Sequence, residues 1–169
     1  TIKKSKFIDS NISVEADSAY GIGGIVGHGT NGMNNYTYLS DCEVEGSTVK
    51  GKSAVGGIAG AVVPYINNCT IKTSEIEGIS YVGGIIGYGG DLGTGSTTYK
   101  LLPITITDCT MNDLKIKAYQ YFAEIIGYNS FGGDKDVITN TISTNCELIN
   151  LNSIDNLMDD STNSIEVLD

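Results

Sequence analysis

Three carboxylate pairs, Glu43/Glu45, Glu75/Glu77 and Asp134/Asp136, are each separated by a single residue. On a strand, such a pair shares one face at roughly 6.5–7 Å, near the separation used in glycoside hydrolysis. One reading is therefore a carbohydrate-active enzyme, or a glycan-binding module, that uses an acidic or aromatic surface. Two features weigh against catalysis. Lysines stand at matching places in adjacent copies of a repeat that runs through the chain, which favours salt ladders over free acids. The chain also contains no arginine to neutralise a uronate substrate. His28 is the sole histidine, which excludes H-E-x-x-H and other paired-histidine zinc motifs. No catalytic residue is assigned.

The four cysteines, Cys42, Cys69, Cys109 and Cys146, lack the paired C-x-x-C spacing of zinc knuckles. In stacked copies their side chains would point the same way about 4.8 Å apart, farther than a disulfide's Cβ separation of about 3.8 Å. A ladder of buried free thiols is expected. Gly21-Ile-Gly-Gly-Ile-Val-Gly looks like a dinucleotide loop, but the phrase recurs with no helix or acidic ribose partner after it. The segments around Asp91 and Asp134-Lys-Asp136 offer oxygens to calcium without the ligand spacing of a calcium loop. No cofactor is expected.

These residues are placed by the repeat. Cys42, Cys69 and Cys109 are each followed at seven positions by an aliphatic residue (Val49, Ile76, Ile116) and at fourteen by a small residue (Gly56, Gly83, Ala123). A looser copy starts at Phe7 and runs through Val14, and a partial one starts at Cys146, giving spacings of 35, 27, 40 and 37. Self-similarity at this scale marks stacked repeats. Alternation yields three short strands per copy, centred on the cysteine and the residue two later, on Val49 and its equivalents, and on Val55–Gly60 and its equivalents. The fold expected is all-β: a right-handed parallel β-helix (β-solenoid) of four to five coils with loop insertions at one corner. Outward positions should stack into columns, among them Glu15, Lys50, Glu77 and Lys117, alternating in sign. Residues 1–147 form the repeats, and 148–169 a C-terminal cap or the start of a further coil.

Twenty acidic residues against ten lysines give a formal charge of −10, which repels nucleic acid and anionic lipid. No apolar run reaches the roughly 20 residues of a membrane-spanning helix, so no membrane insertion is expected. The chain opens inside what reads as a repeat, as an excised piece of a longer polypeptide with flanking domains would. The insertions after Gly-Ile-x-Gly, residues 28–38, 88–105 and 128–141, leave one corner of successive coils. They carry aromatic and small polar residues suited to a host glycan or protein ligand, or to covering the coil wall. Tyr36, Tyr38, Asp91, Tyr99, Phe131, Asp134 and Asp136 are the candidate contact residues.

The phrase VGGIIGYG, following INNCTIKTSEIEGISY, resembles the GLUG-type repeat of bacterial surface proteins. The resemblance covers about Phe7 to Cys146 and is clearest from Cys42 to Gly87. It departs at Ala123-Glu124, where the glycine pair is replaced. Such repeats occur in large adhesins and in non-catalytic regions of IgA-specific metallopeptidases of Gram-positive bacteria. The resemblance implies a non-enzymatic, extracellular adhesion or spacer module, attached to a cell surface or wall through parts outside this chain.

Overall fold

The computed structural model describes residues 1–32, 35–90, 103–130 and 136–152. The protein is all-β, and, apart from one short antiparallel pair, its strands fall into four parallel sheets that the chain visits in the same order in successive circuits. The third circuit is typical. It places Tyr65–Asn67 in the first sheet, Thr70–Lys72 in the second, Glu75–Gly83 in the third and Ile86–Gly89 in the fourth. The expected three strands per repeat are thus four. The apolar run after each aliphatic anchor is bent at its glycine pair and contributes to two sheets. A fourth strand precedes each cysteine.

Register is fixed by one-to-one pairing. Val49 lies between Ile12 and Ile76, Ile76 next to Ile116, and Ile116 next to Leu148. Inward side chains follow the same files: Leu39, Ile66 and Ile106 from the first sheet, then Val44, Ile71 and Met111 from the second, all essentially without solvent access. Full burial of each such side chain contributes about 1.5–3 kcal/mol. β-Branched residues at alternate positions fit this half-buried pleat.

Between the first and second sheets, and again between the second and third, the chain turns a corner on one residue of positive φ. Lys4, Asp41, Asn68, Asp108 and Asn140 serve the first corner, and Asp9, Gly46, Thr73, Asp113 and Asn145 the second. Aspartate and asparagine tolerate this conformation better than other side chains. At eight of these ten corners the residue that follows sends its thiol or hydroxyl back to the carbonyl two residues earlier. Cys42, Cys69, Cys109 and Thr141 do so at the first corner, each at 3.3 Å. Ser10, Ser47 and Ser74 at 2.7 Å and Cys146 at 3.6 Å do so at the second.

The register corrects the two end copies. Phe7 pairs with Val44, not with Cys42, so Ser5 holds the cysteine position in the first circuit and Ile12 replaces Val14 as its anchor. Lys117 pairs with Ile149, and Lys115 with Glu147, so Cys146 stands below Leu114 while Thr141 stands below Cys109. The circuits therefore repeat at 37, 27, 40 and 32 residues. The fifth circuit starts near Thr141, and its strand Glu147–Asn150 spans the boundary expected at residue 147. Cys42, Cys69 and Cys109 do form a buried file of free thiols.

The glycines hold the bend. At Gly24, Gly57 and Gly84 each backbone N–H donates to the carbonyl of the circuit below, at 3.1, 3.0 and 2.8 Å. A Cβ added at Gly24 would lie 2.6 Å from the Gly57 oxygen, and one at Gly84 would abut the Glu124 oxygen. Fourth-sheet strands also press on the preceding circuit. A Cβ at Gly87 or Gly127 would stand 2.5 Å from the backbone of Val55 or Val82.

Candidate functional site

Two of the carboxylate pairs, Glu43/Glu45 and Glu75/Glu77, are tied to lysines of neighbouring circuits. Glu43 binds Lys6 at 2.6 Å and Lys72 at 3.1 Å, and Lys72 also reaches Glu45 at 3.0 Å. Glu77 pairs with Lys50 at 2.6 Å and Glu75 with Lys117 at 2.8 Å. Hydrogen bonds from Lys6 and Lys72 hold Glu43 below the ordinary carboxylate range. Glu77 raises Lys50, while Glu45 and then Glu43 raise Lys72. A carboxyl held ionised in this way is poorly suited to act as a general acid near neutrality. The expected column Lys50–Glu77–Lys117 is present, but Ser13 occupies its top where Glu15 was expected.

Among the described residues, no three His, Cys, Asp or Glu side chains are grouped to hold a metal ion. The thiol file is enclosed. Burial raises Cys42, and contact with Cys109 followed by burial raises Cys69 far above the ordinary thiol range. The hydrogen bond with Cys69 lowers Cys109 instead, so what the three thiols share is burial, which shields them from reagents.

The insertions leave the described structure between the fourth and first sheets, as expected. Asp91, Tyr99, Phe131 and Asp134 lie outside the described residues. Asp136 accepts a hydrogen bond from the Ile104 backbone N–H at 2.8 Å and another from the Asn129 side chain, so it anchors the return of its insertion. Tyr36, on a short antiparallel hairpin, and Tyr38, on the first sheet, both approach Tyr65, with ring centroids 5.1 and 6.4 Å away. Lys3 sits 5.8 Å from the Tyr38 ring centre. The structure thus joins these two candidates through a tyrosine that the sequence reading omitted.

A larger aromatic group stands where the third sheet meets the fourth. Tyr20, Tyr81, Tyr88, Tyr121 and Tyr128 lie within 5.1–5.8 Å of one another in successive ring contacts. Tyr81 and Tyr121 have φ of 57° and 53°. That bulged conformation carries them outward, beside Tyr88 and Tyr128 of the fourth sheet. His28, Ala61, Tyr88 and Tyr128 form one file across successive circuits. Burial, with Tyr88 and Tyr81 adding to it, raises the Tyr20 hydroxyl far above its ordinary range, and that hydroxyl is enclosed without a partner. The sequence carried a signal for this wall: tyrosines recur seven residues apart in two consecutive copies, at 81/88 and 121/128.

No family model, curated protein or solved structure matches this chain. Its function is read from its own geometry. The lower end of the aromatic wall, Tyr121 and Tyr128, is exposed, uncharged in its rings and built on paired strands, which suits recognition more than bond cleavage. Among the described residues, no helix is long and apolar enough to cross a membrane.

Proposed function

We propose that the chain is a right-handed parallel β-solenoid serving as a non-enzymatic extracellular module, for adhesion or spacing, in a bacterial cell-surface protein. The observation that carries this reading is the fate of the acids. Glu43, Glu45, Glu75 and Glu77 are spent on lysines that tie one circuit to the next. Stacked circuits joined in this way make a stiff spacer whose length grows with copy number. The GLUG-type resemblance supports the surface location and the flanking domains, and the tyrosine groups favour a host glycan or protein ligand on the wall.

The runner-up is a carbohydrate-active enzyme, for which only the carboxylate spacing speaks. Incubating the domain with neutral and uronate polysaccharides separates the two. The module reading expects no release of reducing ends or unsaturated products. Release that Glu43→Gln or Glu75→Gln abolishes would replace it with the enzyme.

A further inference from the structure

Two tyrosine files run side by side along the outer edge where the third and fourth sheets meet. Tyr81 and Tyr121 are 5.3 Å apart with planes 27° from parallel, and Tyr88 and Tyr128 are 5.8 Å apart at 21°. Edge contacts lock the files together, Tyr81 to Tyr88 at 5.4 Å and Tyr121 to Tyr128 at 5.5 Å. The upper rings are largely covered, with Tyr88 at 8% exposure. The lower two are open, Tyr121 at 53% and Tyr128 at 39%. These two rings meet at 68°, forming an aromatic corner held from behind by their stacking partners.

We infer that the Tyr121–Tyr128 corner, with Gln120 beside it, is a subsite for a neutral sugar ring. The inference rests on the recognition half of the reading above. A pyranose presents an apolar C–H face inside a rim of hydroxyls, so it needs a flat aromatic surface next to uncharged polar groups. Stacking fixes the tyrosines before any ligand arrives, which limits the ordering cost of binding. Gln120 continues the file of Ser53 and Ser80, whose hydroxyls are 3.3 Å apart, and is an exposed, uncharged residue directly before Tyr121 in the chain.

Charge and size narrow the occupant. A chain of formal charge −10 without arginine disfavours uronate, sulfated or phosphorylated ligands and leaves neutral ones unopposed. A stable protein interface covers about 800 Å² per partner, whereas two half-exposed tyrosines, each about 150–250 Å² when fully buried, supply only a fraction of that. One or two sugar rings fit the area.

The chain has ten tyrosines and no tryptophan, and five of the ten belong to the wall, so binding there can be followed by tyrosine fluorescence, with the variants below assigning the change. Titrations would use neutral hexasaccharides of glucose, mannose, galactose and N-acetylglucosamine, with oligogalacturonate and a sulfated oligosaccharide as charged probes. Saturable binding of at least one neutral series is expected, with none for the charged probes. Tyr121→Ala and Tyr128→Ala should each weaken binding about tenfold or more, and Tyr121→Phe should retain it. Gln120→Ala, at an exposed position, gives a second test where a tyrosine variant unfolds, and should weaken binding several-fold. Failure of every neutral probe, binding of the charged probes, or binding indifferent to Tyr121, Tyr128 and Gln120 overturns the subsite. Protein or cell adhesion without sugar binding removes the subsite but keeps the adhesion role. Sugar binding accompanied by cleavage keeps the subsite and removes the non-enzymatic role.

Discussion

At the scale of single residues, the corners explain the cysteines. What the position demands is a small side chain whose hydrogen bonds back to the carbonyl two residues before, just after a residue of positive φ. Cysteine meets that demand in three circuits and Thr141 in the last. Thiol labelling checks this directly. In the native protein only Cys146, which is partly exposed, should react, and all four should react in denaturant. Rapid native labelling of Cys42, Cys69 or Cys109 would contradict the buried file. The residues before the thiols form their own ladder. Asn68 donates to Asp41 at 2.7 Å and Asn140 donates to Asp108 at 3.1 Å, so amides separate the carboxylates. Asn68→Asp would bring three carboxylates into one file and should lower the thermal midpoint at pH 7. The hydrogen bonds from Asn68 and then Ser40 depress Asp41. Its contribution is therefore present above the ordinary carboxylate range of about 4 and lost as pH falls through the lowered value. The penalty of Asn68→Asp should fade over the same interval, once the new carboxyl is protonated. A midpoint difference that persists at pH 2 would show that charge is not its cause.

At the scale of elements, the glycine motif reads as a contact between backbones. Gly24, Gly57 and Gly84 each lie against the carbonyl of a further circuit, whereas Glu124, in the same ladder, is the last described member. A side chain is excluded only where another circuit closes beneath it. Gly84→Ala and Gly87→Ala should each cost about 3 kcal/mol or more, while Glu124→Gly should change stability by about 1 kcal/mol or less, measured by denaturant unfolding. Equal costs at all three positions would refute the backbone contact.

Much of this was legible in the sequence. The central copies declared their strands in three of the four sheets, their inward files and the corner that bears insertions, but not the strand that precedes each cysteine. The end copies were harder, for physical reasons. Reading Phe7 as the equivalent of Cys42 is a slip of two residues, which preserves inward and outward faces and so leaves no trace in the hydrophobic pattern. Asn145-Cys146 mimics Asn68-Cys69 because both corners use the same chemistry, although it serves the second corner. The tyrosine wall was only half legible, because the bulge that turns Tyr81 and Tyr121 outward breaks strict alternation.

For the whole molecule, each circuit contacts mainly its two neighbours, so stability is a sum over circuits and the interfaces between them. The lower end leaves Ile138 and Leu148 exposed at 43% and 45%, although they continue the files of Ile106 and Ile116, which are fully buried. Burial therefore comes from stacking. The most direct test of that stacking is the distance between outward positions of one column. In a Cys146→Ser background, spin labels at Lys50→Cys and Glu77→Cys, or at Glu77→Cys and Lys117→Cys, occupy adjacent rungs about 4.8 Å apart along the backbone. Strong dipolar broadening is predicted for both adjacent pairs, and weaker broadening for labels at 50 and 117, two rungs apart. Uncoupled spectra from the adjacent pairs, or the strongest coupling from 50 and 117, would contradict the stack.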